Sequence, residues 1–177
     1  MLALLVNLPA AGLALVTMAI YVLIYTPMKV HTTLNTLMSA VVGGIPPMIG
    51  WVAASGTITT GAWILAAILF VWQLPHFLSL AWLYREDYAR AGFKMLTGIS
   101  GGEHTTCEVV LLTTLLLIPL GLTATLIGVA GVFYAACALL LGIGFTVPAI
   151  RFFRERSGET ARRVFFASLL YLPLLMG

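Results

Sequence analysis

Charged residues are scarce in this sequence, and aspartate is almost absent. Asp, Glu, Lys and Arg make up 8% of the 177 residues, whereas a soluble domain carries about 25%. Asp87 is the only aspartate. A chain with so little polar surface is not expected to stay in water, and its few cations lie between apolar runs rather than on a basic, aromatic-rich face. A soluble enzyme and a nucleic-acid-binding protein are therefore both excluded.

Cysteine is equally rare. Cys107 and Cys137 lie in or beside apolar segments, and their spacing fits no metal motif, so both are predicted to be small buried residues. No Lys or Arg precedes Lys29, which is not the pattern of a secretory signal peptide.

Long apolar runs make up most of the sequence. The composition is 61% hydrophobic and the mean hydropathy is +1.07. Crossing a bilayer takes about 20 apolar residues. The sequence therefore predicts an all-α, polytopic transmembrane helical bundle with about six spans. The predicted spans are 2–25, 34–54, 62–84, 107–127, 129–150 and 164 to the end.

The loops between these spans alternate in charge. Segments 26–33, 85–106 and 151–163 contain the cations, whereas segment 55–61 and the turn near Gly128 have none. The positive-inside rule then places the three charged loops on the cytoplasmic or matrix side and both chain ends outside.

The stretch from Trp72 to Leu96 contains the first candidate site. At 100° per residue, five mostly polar residues would fall on one side of a helix there: Gln73, His76, Leu80, Tyr84 and Asp87. Polar groups at membrane depth are costly and usually face a cavity. Pro75 precedes His76, and the stretch 43–47 contains GGIPP; these prolines indicate either packing kinks or bends that widen an internal pocket.

Carboxylates and cations are densest just after this helix. Arg85, Glu86 and Asp87 are followed by Lys94, a mixture that suits a magnesium–diphosphate ligand, because Mg²⁺ needs only one or two carboxylates when phosphate and water complete its shell. Lys29, in another charged loop, could supply further positive charge for this ligand. The alternatives are a solvated juxtamembrane loop and a simple topology signal.

His76 allows three interpretations. It could be a haem ligand, a general base, or a packing residue whose ring bonds to Gln73 or to a backbone carbonyl.

Several stretches carry a resemblance to a known family, in that family's order and spacing. They are YTPMKVHTTLNT at 25–36, GGIPPMIGWVAASG at 43–56, WQLPHFLSLAW at 72–82, REDYARAGFKML at 85–96 and RRVFFASLLYLPLLM at 162–176. Over nearly the whole chain the sequence resembles the haem O synthases (protoheme IX farnesyltransferases) of the UbiA prenyltransferase superfamily.

The resemblance implies a nine-span intramembrane fold and transfer of a farnesyl group from farnesyl diphosphate to a vinyl group of haem B. The resemblance also implies that Asp87 is a Mg²⁺ ligand, helped by Glu86 or Tyr88. Arg85, Lys94 and Lys29 would hold the diphosphate, and His76 would lie deeper, beside the prenyl chain or the porphyrin. The substrate-binding residues on this reading are Tyr25, Lys29, Asn35, Gln73, Tyr84 and Tyr88.

The family also has a first aspartate-rich motif, which a chain with one aspartate lacks. We therefore expect residues 1–177 to be a partial UbiA-type domain matching the last six of nine spans, and to be slow or inactive alone. A separate N-terminal half and haem A synthase are candidate partners. The expected location is the bacterial plasma membrane, or alternatively the mitochondrial inner membrane. The competing functions are a non-catalytic haem-binding partner and a small transporter.

Overall fold

The computed structural model describes residues 2–176, and the regular structure in that part of the chain is helical throughout. The helices are α1 (Leu2–Leu5), α2 (Leu8–Ile20), α3 (Thr26–His31), α4 (Asn35–Ser55), α5 (Thr60–Leu83), α6 (Arg85–Arg90), α7 (Gly102–Leu126), α8 (Val132–Glu155) and α9 (Gly158–Met176). A π-helical turn at Tyr21–Tyr25 joins α2 to α3, and a 3₁₀ turn at Leu96–Gly98 precedes α7. The all-α prediction is confirmed.

Five helical segments are long and apolar enough to cross a membrane. They are Leu8–His31, Asn35–Ser55, Thr60–Leu83, Gly102–Leu126 and Val132–Glu155. The chain is therefore an integral membrane protein, as predicted. The sixth predicted span forms α9, but Glu159, Arg162 and Arg163 occupy its first two turns, so the apolar part of this 19-residue helix is shorter than the others.

The first predicted loop is mostly helical, because the helix continues through His31. Pro27 has no amide hydrogen for an α-helical bond, and the wider π turn before it accommodates the break. The Thr26 hydroxyl donates to the Tyr21 carbonyl at 2.9 Å across this turn. Lys29 consequently lies in the last turn of a helix rather than in a free loop.

Four helices form a bundle around the apolar core. Each of α5, α7, α8 and α9 packs against two of the others, and the core residues lie between them. On its other side α5 packs against α4, which in turn packs against α2. Within the described residues α4 and α9 both contact α5 but not each other. The space between them along α5 is here called the α4–α9 groove, and His76 of α5 lies there, next to Ser168 of α9.

Glycine lets α4 approach α5 closely. A Cβ atom at Gly43 would lie 2.1 Å from Gln73 Oε1, and one at Gly44 would lie 3.1 Å from the Ala66 carbonyl oxygen. The helix continues without interruption through Pro46 and Pro47. The predicted proline stretch therefore stays helical, and its glycines place α4 directly against the buried Gln73 side chain.

The turn before α7 depends on Gly102. A Cβ atom there would lie 1.8 Å from the Leu96 carbonyl oxygen, whereas one at Gly98 meets nothing within 4 Å. We expect Gly102→Ala to destabilise the fold by about 1–3 kcal/mol, since backbone must move to admit the methyl group. Gly98→Ala is the matched control. Thermal unfolding in detergent measures both, and equal midpoints for the two variants would contradict this packing.

Candidate functional site

The structure corrects the predicted polar line along one helix. Helix α5 ends at Leu83, and Tyr84 leaves the helical conformation with φ −109° and ψ 25°, so Asp87 lies on the separate helix α6. Within α5 the line also divides, because Gln73 faces α4 whereas His76 contacts α9. These residues do not form one continuous polar stripe.

Three neighbouring cavities lie where α6 meets the ends of the long helices. Cavity 1, about 160 Å³, is lined by Tyr25, Lys29, Asn35, Thr36, Ser39, Phe77, Leu80, Tyr88, Phe93 and Met95. Cavity 2, about 330 Å³, is lined by Trp82, Leu83, Arg85, Glu86, Asp87, Arg90 and Gly158. Cavity 3, about 290 Å³, is lined by Tyr84, Asp87, Tyr88, Ala91 and Phe93.

Cavity 1 brings together four of the predicted substrate-binding residues, namely Tyr25, Lys29, Asn35 and Tyr88. The Lys29 ammonium lies 5.8 Å from the centroid of the Phe93 ring, a cation–π contact that holds the charge at the cavity wall. The cavity is thus apolar on the α5 side and carries one cation and one amide at its α3 end.

Asn35 joins the two segments that carry the lysines. Its side-chain amide donates to the Lys29 carbonyl at 3.2 Å and to the Lys94 carbonyl at 2.9 Å, and the residue is only 4% exposed. The Lys94 backbone amide also donates to the Lys29 carbonyl, at 3.4 Å. Lys94 itself does not line cavity 1, although its neighbours Phe93 and Met95 do.

Replacing Asn35 by Ala should release the loop that carries Lys94. Two hydrogen bonds are lost, each contributing about 0.5–1.5 kcal/mol, and the Lys29 carbonyl keeps only its 3.4 Å bond from the Lys94 backbone amide. We expect faster hydrogen exchange at residues 91–96 in the variant. Asn7→Ala is the control, because Asn7 bonds to the distant Val52 carbonyl. Unchanged exchange at 91–96 in Asn35→Ala would contradict this linkage.

Cavity 2 contains both carboxylates of the charged cluster. Arg90 donates to Asp87 Oδ1, and Arg85 donates to Glu103 Oε1 at 2.9 Å. The Asp87 side chain is 60% exposed, so this ion pair is screened and can exchange with other ligands at little cost.

The carboxylates of cavity 2 fit Mg²⁺ only if other ligands complete its coordination shell. No group of three or more His, Cys, Asp or Glu residues within 2–176 is arranged to hold a metal ion. Glu86 and Asp87 offer two carboxylates in one cavity, which suffices for Mg²⁺ only when phosphate and water oxygens complete the shell.

Two aromatic side chains are shared by the cavity that contains Lys29 and one that contains Asp87. Tyr88 and Phe93 line both cavity 1 and cavity 3, and their rings meet edge to face at 5.9 Å. Asp87 lines cavities 2 and 3. The predicted metal ligand and the predicted cation on α3 therefore line adjoining cavities at the same end of the bundle.

His76 lines none of the three cavities. Its Nδ1 atom is 2.8 Å from Ser168 Oγ, and its ring stacks on Trp72 and Phe165 with centroids 5.1 and 4.9 Å away. The predicted alternatives of Gln73 or a backbone carbonyl as its partner are thus wrong.

The sequence analysis did not single out Ser168. The available signal was that a histidine in an apolar helix needs a polar partner, and Ser168 is one of two polar side chains in the apolar run that ends the chain. Phe77 and Phe93 in cavity 1 were also missed, since apolar residues in a membrane protein carry no sign of which ones face a cavity.

Comparison with known proteins agrees with this architecture. A sequence model described as the UbiA prenyltransferase family matches residues 1–170. A protoheme IX farnesyltransferase of Solibacter usitatus is 45% identical over 172 residues, which are 97% of this chain and 59% of that protein. A mitochondrial protoheme IX farnesyltransferase of Arabidopsis thaliana is 42% identical over 96% of this chain and 39% of its own length.

One solved structure has the same fold. It is described as a digeranylgeranylglyceryl phosphate synthase in membranes, and it superposes with a TM-score of 0.82 at 17% identity, over 98% of this chain and 61% of that one. This chain spans less than two thirds of the length of each of these three proteins. With the family model covering nearly all of the sequence, the chain belongs to the UbiA prenyltransferase family.

Proposed function

We propose that this chain is part of a membrane enzyme that transfers a farnesyl group from farnesyl diphosphate to a vinyl group of haem B, giving haem O. The observation that carries the proposal is the identity of 38–45% to proteins named protoheme IX farnesyltransferase over most of the chain. The relatives' names do not favour the transporter or the non-catalytic haem-binding partner.

The cations at the α6 end would bind the diphosphate. Lys29 lines cavity 1, Arg85 lines cavity 2, and the loop that carries Lys94 is bonded to Asn35 in the wall of cavity 1. Charge-assisted hydrogen bonds from such groups are about twice as strong as neutral ones. They would stabilise the diphosphate as it leaves, an electrostatic role.

Asp87 and Glu86 would hold Mg²⁺ beside this diphosphate. When bound, the ion would supply positive charge to the leaving group. Arg90, the present partner of Asp87, would then be free to contact phosphate oxygens. The three predicted tyrosines line these cavities: Tyr25 lines cavity 1, Tyr84 lines cavity 3 and Tyr88 lines both.

The apolar walls would receive the prenyl chain. Phe77 and Leu80 continue cavity 1 along α5 towards Gln73, which lies one turn further from the charged end. Such walls exclude water from an allylic cation until it has reacted.

Some of the site would come from outside this chain. Two carboxylates are few for a metal clamp, and the chain spans 59% of its Solibacter usitatus relative. We propose that an N-terminal segment supplies the first aspartate-rich motif, that the bilayer is the bacterial plasma membrane, and that haem A synthase receives the product. The Arabidopsis thaliana relative, named as mitochondrial, keeps the mitochondrial inner membrane as the alternative.

A membrane assay tests the proposal. We would join the N-terminal part of the Solibacter usitatus relative to this chain, giving what is here called the joined protein. Membranes with the joined protein should convert haem B to haem O when farnesyl diphosphate and Mg²⁺ are present. The intact Solibacter usitatus relative is the positive control. If that control makes haem O while the joined protein makes none, the proposal fails.

A further inference from the structure

His76 is held in one tautomer by a chain of two hydrogen bonds. The Ser168 hydroxyl donates its single hydrogen to the Phe165 carbonyl, at 2.5 Å, because a carbonyl can only accept. Ser168 Oγ must then accept from His76, 2.8 Å away, so the proton of the neutral ring is on Nδ1. Nε2 is left with a lone pair.

That lone pair has no hydrogen-bond partner among residues 2–176. Nε2 is not one of the fully buried side-chain atoms that lack a partner in this part of the chain. His76 is half-buried in the α4–α9 groove. Leu80, one helical turn away on the same face, lines cavity 1. The lone pair is therefore not enclosed, and it lies about one turn of α5 from the proposed prenyl-binding cavity.

The surroundings of His76 favour a flat aromatic ligand over a lipid tail. Trp72 and Phe165 both stack on the imidazole, and the Trp72 indole donates to the Ser168 carbonyl at 2.9 Å, so the imidazole cannot rotate freely. An acyl chain needs no nitrogen donor. A neutral imidazole whose second nitrogen is fixed by a hydrogen bond is a usual ligand of haem iron.

We infer that His76 Nε2 is an axial ligand of the iron of a porphyrin lying in the α4–α9 groove, and that Ser168 is a positioning residue that fixes the donor tautomer. The identity of the porphyrin as haem B rests on the proposed function. Ligation donates a lone pair to iron and transfers no proton or electron. It would hold the macrocycle close to the prenyl group.

The test is spectroscopic titration of the chain in lipid nanodiscs with ferric haem B. We expect a histidine-ligated iron signature in the absorption and electron paramagnetic resonance spectra. His76→Ala should lose this signature, and added imidazole should restore it, which separates ligation from misfolding. His104→Ala is the control, since His104 pairs with Glu108 outside the groove.

Variants of Ser168 provide an independent second test. Ser168→Ala should weaken haem binding by roughly tenfold, the effect of removing a partner that orients a metal ligand, whereas Ser168→Thr keeps the hydroxyl and should bind as the wild type does. An unchanged iron spectrum in His76→Ala would overturn the inference.

The inference and the proposed function can fail separately. If the joined protein makes haem O and its His76→Ala variant keeps the wild-type iron spectrum, the inference is wrong and the proposed function stands. If the spectrum depends on His76 but no haem O forms, the ligand site is supported and the proposed function fails.

Discussion

Replacing Asp87 by Asn is expected to lower the rate of haem O formation in the joined protein by roughly 100- to 1,000-fold, the usual cost of losing one group that stabilises developing charge. Asp87 is the only aspartate in the chain and lines cavities 2 and 3. Asparagine keeps the size and removes the charge that would hold Mg²⁺. Turnover at saturating farnesyl diphosphate measures the effect.

Glu108→Gln is the matched control for this prediction. Glu108 is a carboxylate of similar exposure that pairs with His104 on α7, away from the three cavities. Its loss should leave turnover within about twofold, as expected for an exposed ion pair. If Asp87→Asn and Glu108→Gln turn over equally fast, the assignment of Asp87 to the metal is wrong.

Lys29→Met should act mainly on substrate binding. A charge-assisted bond to phosphate contributes about 1.5–3 kcal/mol, which corresponds to a rise of roughly 10- to 100-fold in KM for farnesyl diphosphate. Methionine retains the aliphatic contact with Phe93 while removing the ammonium. Lys29→Arg should recover much of the affinity, since it restores the positive charge.

Arg151→Gln serves as the control for Lys29. Arg151 is an exposed cation near the end of α8 that lines none of the three cavities. Any general effect of surface charge on substrate arrival would appear in both variants. Equal KM values for Lys29→Met and Arg151→Gln would show that Lys29 only contributes to topology.

The positions of the helices were predictable because hydrophobic length decides them. The residues at which the helices begin and end were less predictable. Helix α7 begins at Gly102 rather than Cys107, since Gly101 takes a left-handed conformation (φ 74°) that starts the helix before the apolar run. The helical segment that begins with α2 continues past Tyr25 into α3, because a π turn accommodates Pro27. Both features depend on local backbone geometry that hydropathy does not report.

The site was predictable only in part, for a different reason. Lys29, Asn35 and Tyr25 do share a cavity, as their proximity in the sequence suggested. Gln73 and His76 lie close on one helical wheel yet face different neighbours, α4 and α9. Helical periodicity predicts which residues share a face, but the packing partner of each face depends on the three-dimensional order of the helices.

In the function proposed above, Asp87 and Lys29 hold one metal–diphosphate group between them. Mn²⁺ in place of Mg²⁺ tests it directly, because electron paramagnetic resonance detects bound Mn²⁺ and its coupling to phosphorus. In the joined protein we expect Mn²⁺ to bind together with farnesyl diphosphate, with resolved phosphorus coupling, and we expect both Asp87→Asn and Lys29→Met to weaken this binding. Unchanged Mn²⁺–diphosphate binding in Asp87→Asn would contradict the account.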